Sequence, residues 1–553
     1  MKNFRNYCLY TVLFLGGVLL VSACDLMSEE EFLDRYPKDE PAPNIFFVDE
    51  SSAKAAVAAA YQPWTRSSSM YQRDLVIMFD GMSDDGHWRP SRGASIQQSE
   101  WNITPEHGTI RNYWRYAYQS VNAANYAIEK IPTLLEKGMT QEELDPYIAE
   151  AHFVRGFSYL FLVNFFGEVP LIESPLSSMA EFEQPKSSTD QIYERIINDF
   201  TLAREKLPEE WPTSYTGSAT KATAAAYLAK TQLYREDFTA AETAARSAIE
   251  IAENTGYHLV DDYMSIFDIN NEANPELLFY IPYIEADDYG ANYMVQRLSR
   301  DLPPELSHIW GVSGWGYHLP QRDLYEAYEE GDPRREYTIF STGDAFGVYN
   351  AGEPLTYTHE RYNDSGELVT YDSTYTAGDT VAYDYRWSPT GMNVRKDIYN
   401  IGHLPNERWA GKDVPLMRMA DLYLILAEAL AEQGNNEALV WVNKVRARPS
   451  VDMPPKTAAD GSLVELVRHE RRVELALEGQ RLWDLVRWGE MKNIFGDGTR
   501  VKRHFYSDYL PLDHSDRFDN PNLDNYPGDL VLFPIPQNEL DQNSEINEQN
   551  PGY

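Results

Sequence analysis

Residues 219–253 read ATKATAAAYLAKTQLYREDFTAAETAARSAIEIAE, and this stretch decides the fold class. Ala225, Leu228, Ala229, Leu233 and Tyr234 recur at the spacing of one helical face. Asp237-Phe238 makes a turn, and Ala241, Ala245, Ala248 and Ile249 mark a second helix. Small apolar residues at these positions let two antiparallel helices approach closely. Such a pair cannot bury its apolar face alone. The segment therefore predicts a mainly α protein in which helix pairs stack on one another.

The pair resembles a tetratricopeptide (TPR) unit, without the Trp and Leu-Gly positions of that repeat. Residues 415–448 look similar: Ala427 and Ala431, a Gly434-Asn435-Asn436 turn, then Ala438, Trp441, Val442 and Val445. Further helices are expected over 51–65, with Ser51 and Ser52 as N-caps, and over 110–131, stopped by Pro132. Two more are expected over 141–166, ended by Gly167, and over 188–206, opened by Ser188-Thr189-Asp190. A strongly amphipathic stretch covers 462–489. Trp114, Trp441 and Trp483 fall on apolar helical stripes and are assigned to the core. Residues 255–412 have no such period. Gly, Pro, Asp and Tyr are scattered there with short alternating runs such as Val369-Thr370-Tyr371-Asp372. The expectation is a loop-rich insertion with short helices and minor β content. Its aromatic residues argue against disorder.

Of the 553 residues, 43% are hydrophobic and 24% charged, an ordinary globular balance. Lys and Arg number 48 against 86 Asp and Glu, a formal charge of −38. So acidic a surface repels phosphate backbones and argues against nucleic-acid binding. The two cysteines, Cys8 and Cys24, exclude a disulfide framework or a Cys-rich zinc site in the body of the chain. Residues 1–23 read as an address: Lys2 and Arg5, then an apolar run from Tyr10 to Val21, too short for a comfortable membrane span. Val21-Ser22-Ala23-Cys24 resembles a bacterial lipobox, which makes Cys24 the lipidated first residue of the mature chain. Removing Lys2 and Arg5 takes the formal charge from −38 to −40. The acidic run Glu29-Glu30-Glu31 behind the anchor resembles a surface-export signal of Bacteroidetes lipoproteins.

Four segments carry a wider resemblance. The first runs from Glu150 through Arg155, Tyr159 and Gly167 to Pro170. The second runs from Leu416 and Arg418 through Ala427-Glu428-Ala429 to Arg446 and Arg448. The third is Glu470-Arg-Arg-Val-Glu474 with Glu478-Gly479, Arg481, Trp483-Asp484 and Arg487-Trp488. The fourth is Phe533-Pro534-Ile-Pro536 with Asn550-Pro551-Gly552-Tyr553. In this order, and with the lipobox, they resemble the SusD/RagB family of Bacteroidetes outer-membrane lipoproteins. The resemblance implies a SusD-like scaffold of four TPR-like helix pairs and no catalytic activity. It implies a glycan ligand, an oligo- or polysaccharide, delivered to a SusC-like TonB-dependent outer-membrane barrel. It places the chain at the outer membrane, lipid-anchored and facing outward. A peptide or glycoprotein ligand is a second option, since family members differ in what they capture.

Glu470, Arg471, Glu474, Glu478, Arg481 and Asp484 lie three or four apart and read as an ion-pair ladder on one helix, structural glue in preference to an acid/base pair. No Gly-x-Ser-x-Gly, His-Glu-x-x-His or P-loop pattern occurs. A glycoside hydrolase, whose paired carboxylates are invisible in sequence, is a rival that a reducing-sugar assay separates. A TPR-type adaptor that binds only protein is another. It should show no change of Trp fluorescence with glycan. Asp80-Gly-Met-Ser-Asp84-Asp85-Gly86-His87 is acidic and glycine-rich, a loop open to calcium but without EF-hand spacing. No other cofactor is expected. Sugars present flat C–H faces ringed by hydroxyls, so their binders set aromatic rings beside amides, carboxylates or Arg. Two segments have that mixture. One holds Trp88, Arg92, Trp101 and Asn102; the other holds Tyr289, Asn292, Tyr293, Trp310, Trp315 and Tyr317. Trp88 and Trp315 stand out, because each sits among Gly and polar residues.

The expected organisation is a signal peptide at 1–23, a lipidated tether and N-terminal segment at 24–50 and a TPR-like region at 51–254. The ligand-face insertion covers 255–412, and a C-terminal helical region at 413–553 completes the scaffold. Cys24→Ala is expected to shift the protein from the membrane fraction to a soluble one. Fractionation of cells lacking a partner barrel checks this, and an unchanged membrane fraction contradicts it.

Overall fold

Helix pairs held together by small residues organise the structure. This computed structural model describes residues 47–66, 70–71, 75–88, 97–176, 179–212, 217–268, 270–271, 274–283, 316–341, 343–347, 355–362, 368–376, 378–383, 388, 390–396, 412–495 and 532–553. Cys24 and the segment before residue 47 lie outside them. The helices used below are α1 (Glu50–Arg66), α2 (Leu75–Gly81), α3 (Gly108–Lys130), α4 (Gln141–Phe166), α5 (Thr189–Lys206) and α6 (Lys221–Tyr234). They continue with α7 (Phe238–Asn254), α8 (Met419–Glu432), α9 (Ala438–Arg446), α10 (Leu463–Glu474) and α11 (Arg481–Arg487). α1 packs on α3, α3 on α4, α4 on α5, α5 on α6, α6 on α7, α7 on α8, and α8 on both α9 and α10. The path is a stack of neighbours, mainly α.

In the α6–α7 pair, Ala222, Ala229, Ala241, Ala245 and Ala248 are fully buried. Asp237 caps α7 by accepting from the Ala240 N–H at 3.0 Å. At α4, Thr140 and Glu143 form a reciprocal capping box, with the Thr140 N–H donating to Glu143 at 2.7 Å. Phe153, Phe157, Phe161 and Phe165 recur every four residues along α4 and are buried. Trp64 of α1 sets its ring edge-on to Phe157 and Phe161, each at 4.9 Å, and its indole N–H donates to Ser120 Oγ at 2.9 Å. The chain end closes on the same helix. Phe533 stacks on Phe165 at 4.6 Å, and the Asn550 amide donates to the carbonyls of Phe166 and Phe533. Gly167 takes φ 68°, and a Cβ there would meet Leu532 Cδ1 at 2.7 Å. The Gly-Glu-Val-Pro and Phe-Pro-Ile-Pro motifs are therefore one packing node.

Two expectations are corrected. Residues 414–418, whose apolar run reads as the start of the 415–448 helix pair, form strand β6. The strands used below are β1 (Gly86–Trp88), β2 (Leu277–Ile281), β3 (His318–Pro320), β4 (Leu355–Tyr362), β5 (Leu368–Tyr375) and β6 (Val414–Arg418). β6 pairs antiparallel with β2, and all five of its residues are buried, so alternation has nothing to mark. The stretch 462–489 is not one helix. It breaks between α10 and α11, where Leu477 and Gly479 take φ 60° and 74°. Glu478 lies in this break, and Arg481 and Asp484 belong to α11. The alternating run near Val369 is β5, which pairs with β4 over eight residues from Leu355↔Tyr375 to Tyr362↔Leu368.

The expected ion ladder is a buried network. Glu474 accepts from Arg418 at 2.7 Å, Arg448 at 2.9 Å and Arg334 at 2.9 Å. Glu276 accepts from Arg418 and Arg448, Glu470 from Arg334 and Arg446, and Glu478 from Arg418 and Lys396. Tyr263 roofs it, donating to the Glu474 carbonyl at 2.9 Å, with the Lys396 ammonium 5.1 Å from its ring. Burial pushes the Glu474 carboxyl up, but Arg418, Arg448 and Arg334 together outweigh it and hold the group well below the ordinary Glu range. A depressed folded value means that its contribution is present above the unfolded pKa and is lost as pH falls. Glu474→Ala removes the carboxylate that three buried arginines share, leaving excess positive charge in the network, and is expected to cost about 3–5 kcal/mol at neutral pH, less in acid. Urea unfolding at pH 7 and pH 4 measures it. An equal cost at both refutes the electrostatic account.

Candidate functional site

The two aromatic and polar segments meet at a short ribbon. α2 is buried over all seven residues and delivers the chain to a turn at 82–85. There Ser83 Oγ donates to the Asp80 carbonyl at 2.7 Å and accepts from the Asp85 N–H at 3.1 Å. β1 then pairs antiparallel with β3: Gly86↔Pro320, His87↔Leu319, Trp88↔His318. Some 230 residues separate these strands in sequence, and their pairing sets Trp88 beside Tyr317, ring centroids 6.3 Å apart.

The scaffold clamps the ribbon electrostatically. Arg472 of α10 reaches Asp85 at 2.7 Å, Asp84 at 3.1 Å and Asp323 at 2.8 Å. Arg481 of α11 donates to both oxygens of Asp84, at 2.8 and 2.9 Å. The Gly479 N–H donates to Asp80 Oδ1 at 2.9 Å, and the Gln321 N–H donates to the Asp85 carbonyl at 2.9 Å. Burial raises Asp84, but Arg472 and Arg481 prevail and hold it low. Asp85 forms an ion pair with Arg472. There burial wins, reinforced by neighbouring Asp84, and its carboxyl is pushed up to about 6.

The expected site residues separate on this frame. Trp88 and Trp101 do not offer open ring faces. Trp88 is fully buried: its ring stands 2.9 Å from where a Gly81 Cβ would be, and its backbone N–H donates to Ser99 Oγ at 3.2 Å. Trp101 is 6% exposed and packs near Phe495 at 6.0 Å, its backbone at φ 56°. Both became core because the turn and the ribbon fold them inward, which the polar residues beside them do not signal. Asn102 is exposed and Tyr317 half-buried. Arg92, Tyr289, Asn292, Tyr293, Trp310 and Trp315 lie outside the described residues. The acidic 80–87 loop is wired to arginines and a backbone N–H through Asp84, Asp85 and Asp80. Among the described residues no cluster of three His, Cys, Asp or Glu is arranged around a metal site.

Two cavities had no place in the sequence reading. One, of about 520 Å³, lies between α1, Gly217-Ser218 and β2, with Glu150 in its wall. Burial pushes that carboxyl up to about 7, with hydrogen bonds from Ser218 and Tyr61 only partly offsetting it. The other, of about 830 Å³, runs along α3. Its signal was present but unread: Arg111, Arg115, Tyr118, Asn122 and Tyr126 recur three or four residues apart along one edge of that helix.

A stacked-helix scaffold presents broad rigid surfaces, and here α10 and α11 clamp the β1–β3 ribbon to one of them. Comparison with known proteins identifies the family. Residues 275–553 match the model of the SusD family, and residues 31–233 match a model described as starch-binding and associating with the outer membrane. The chain belongs to the SusD family. It is 28% identical to the SusD-like protein P2 of Formosa agariphila, over 98% of this chain and 99% of that one. A SusD-like carbohydrate binding protein from Bacteroides fragilis superposes with TM-score 0.69 at 24% identity, covering 90% of this chain and 99% of its own. A laminarin binding SusD-like protein superposes with TM-score 0.67 at 25% identity, covering 92% and 100%.

Because folding raises the Asp85 carboxyl, its contribution to stability is present below the unfolded value near 3.8 and is lost as pH rises through about 6. Asp85→Asn is expected to gain stability over the native chain between pH 5 and pH 8, by up to about 3 kcal/mol. Thermal melts across that range measure it, and parallel curves for the two proteins refute it.

Proposed function

We propose that this chain is a cell-surface glycan-binding lipoprotein, anchored through Cys24 in the outer membrane and facing outward. It captures an oligo- or polysaccharide and passes it to a SusC-like TonB-dependent barrel. It binds and does not catalyse. The observation that carries this reading is the β1–β3 ribbon, which joins two segments rich in aromatic and polar side chains on a rigid scaffold, in a chain of the SusD family. Solved relatives described as carbohydrate binding and laminarin binding support a sugar as ligand.

Asn102 and Tyr317 are the described residues proposed to meet the sugar. Arg92, Tyr289, Asn292, Tyr293, Trp310 and Trp315 are proposed with them. Trp88 supports the site from below, backing Tyr317, and Trp101 holds its loop. The segment between Cys24 and α1 is proposed as a tether that lets the protein act as a lid over a barrel.

Tyr317→Ala and Trp315→Ala are each expected to weaken glycan binding by about 1–3 kcal/mol with the fold intact, by analogy with stacking losses on other flat ligands. Trp88→Ala, by contrast, is expected to destabilise the fold by about 3–5 kcal/mol. Calorimetry with the native glycan and circular dichroism on all three variants test this. Unchanged affinity in both surface variants removes the site. Pulldown from native membranes tests the partner, and repeated recovery of the lipoprotein alone counts against it.

A further inference from the structure

The groove along α3 lies apart from the ribbon. α1 contributes Ala55, Ala56 and Ala59 to its wall, the 170–176 loop stands opposite, and Asn538 and Glu539 close one end. Its volume of about 830 Å³ is in the range of sites that hold small ligands. It is preformed. Tyr118 donates to the Pro170 carbonyl at 2.7 Å, Asn125 donates to the Ile172 carbonyl at 2.9 Å, and Asn122 accepts from the Leu176 N–H at 2.9 Å. These bonds fix the loop to the helix, so the opening does not depend on a ligand to shape it. From Arg111 to Tyr126 the helix rises about 22 Å, enough for a short extended chain.

The lining combines ring faces with hydrogen-bonding groups. Tyr118 and Tyr126 are half-buried along the wall, and Phe182 is 54% exposed at the lip. Gln119, Asn122 and Asn538 add amides. Arg111 and Arg115 are exposed at one end, and among the described residues neither makes an ion pair. Arg115 instead donates to the Tyr116 hydroxyl at 2.7 Å and lies over that ring. In a chain with 86 acids and 48 bases, two arginines one helical turn apart with no ion-pair partner among the described residues are a local positive patch on a negative protein. The acid at this end, Glu539, is pushed up by burial against hydrogen bonds from Asn543 and Trp114, so it opposes an anion less than an open carboxylate would.

We propose that this groove is a second carbohydrate site, which takes an oligosaccharide bearing uronic acids: Arg111 and Arg115 pair with the sugar carboxylates while Tyr118, Tyr126 and Phe182 pack against the ring faces. Two arginines side by side give the planar, paired donors that carboxylates prefer. The site takes from the proposed function only that the ligand is a sugar, and it uses none of the loop-face residues.

The test is titration of the whole mature chain with oligogalacturonate and with oligoalginate, and with a neutral β-glucan oligosaccharide for comparison. The native chain is expected to bind a uronate chain, more weakly as salt is raised. Binding should fall about tenfold or more in the Arg111→Ala/Arg115→Ala double variant, and by less in Phe182→Ala. Arg111→Glu/Arg115→Glu should abolish it. Circular dichroism and melting temperature should stay unchanged, because all three positions are exposed, and neutral-glucan binding should not move. Absence of uronate binding by the native chain, or equal binding by the double variant, overturns the proposal. Loss of neutral-glucan binding in the loop-face variants bears only on the first site, so the two readings fail separately.

Discussion

Everything in the second half of the chain depends on three arginines converging on one carboxylate. Glu474 is fully buried and bound by Arg334, Arg418 and Arg448, which come from the insertion, from β6 and from the end of α9. Ionic groups so deep in a protein contribute little net stability, because desolvation takes back most of the attraction. What they contribute is uniqueness. A slip of one residue in β6 or α10 would leave a buried charge unpaired, at a cost of several kcal/mol. Apolar contacts in a repeat of near-identical helix pairs cannot impose that penalty, since one alanine face resembles another. The network therefore sets the register in which the insertion re-enters the scaffold, and Lys396 and Glu276 extend it to both ends of that insertion.

The same helix carries the next link. Arg471 faces inward to Asp421 and Asp484, tying α10 to α8 and α11, while the adjacent Arg472 faces Asp84, Asp85 and Asp323. Consecutive residues on a helix point about 100° apart, so one Arg-Arg dipeptide serves the scaffold and the ribbon at once. The ribbon has only three residue pairs and would not persist alone. Its position is borrowed from α10.

The helices were legible in the sequence through their apolar period, although the caps were read less well: Ser51 and Ser52, expected as N-caps, lie inside α1. Thr140 with Glu143 and Gly167 bracket α4, and Ser188 with Gln191 opens α5. The 462–489 stretch misled because its apolar period continues through the break. Only the left-handed Leu477 and Gly479 separate α10 from α11, and a leucine gives no warning of that conformation. β6 was hidden for the opposite reason, since a strand buried on both faces has no alternation. The candidate site was half legible. Composition marked the two segments that the ribbon joins, but Trp88 and Trp101 turn inward through contacts with Gly81, Ser99 and Phe495 that no local pattern encodes.

That inward turn has a consequence for how a loop face works on a repeat scaffold. A surface aromatic ring is useful to a ligand only if it does not collapse onto its own protein when the ligand leaves. Trp88 lies beside Tyr317, ring centroids 6.3 Å apart, and Gly81 makes room for the indole. In the proposed site the buried tryptophan would act without touching the ligand: by packing against Tyr317 it would meet in the fold some of the order that binding must otherwise impose, which lowers the entropic cost of capture.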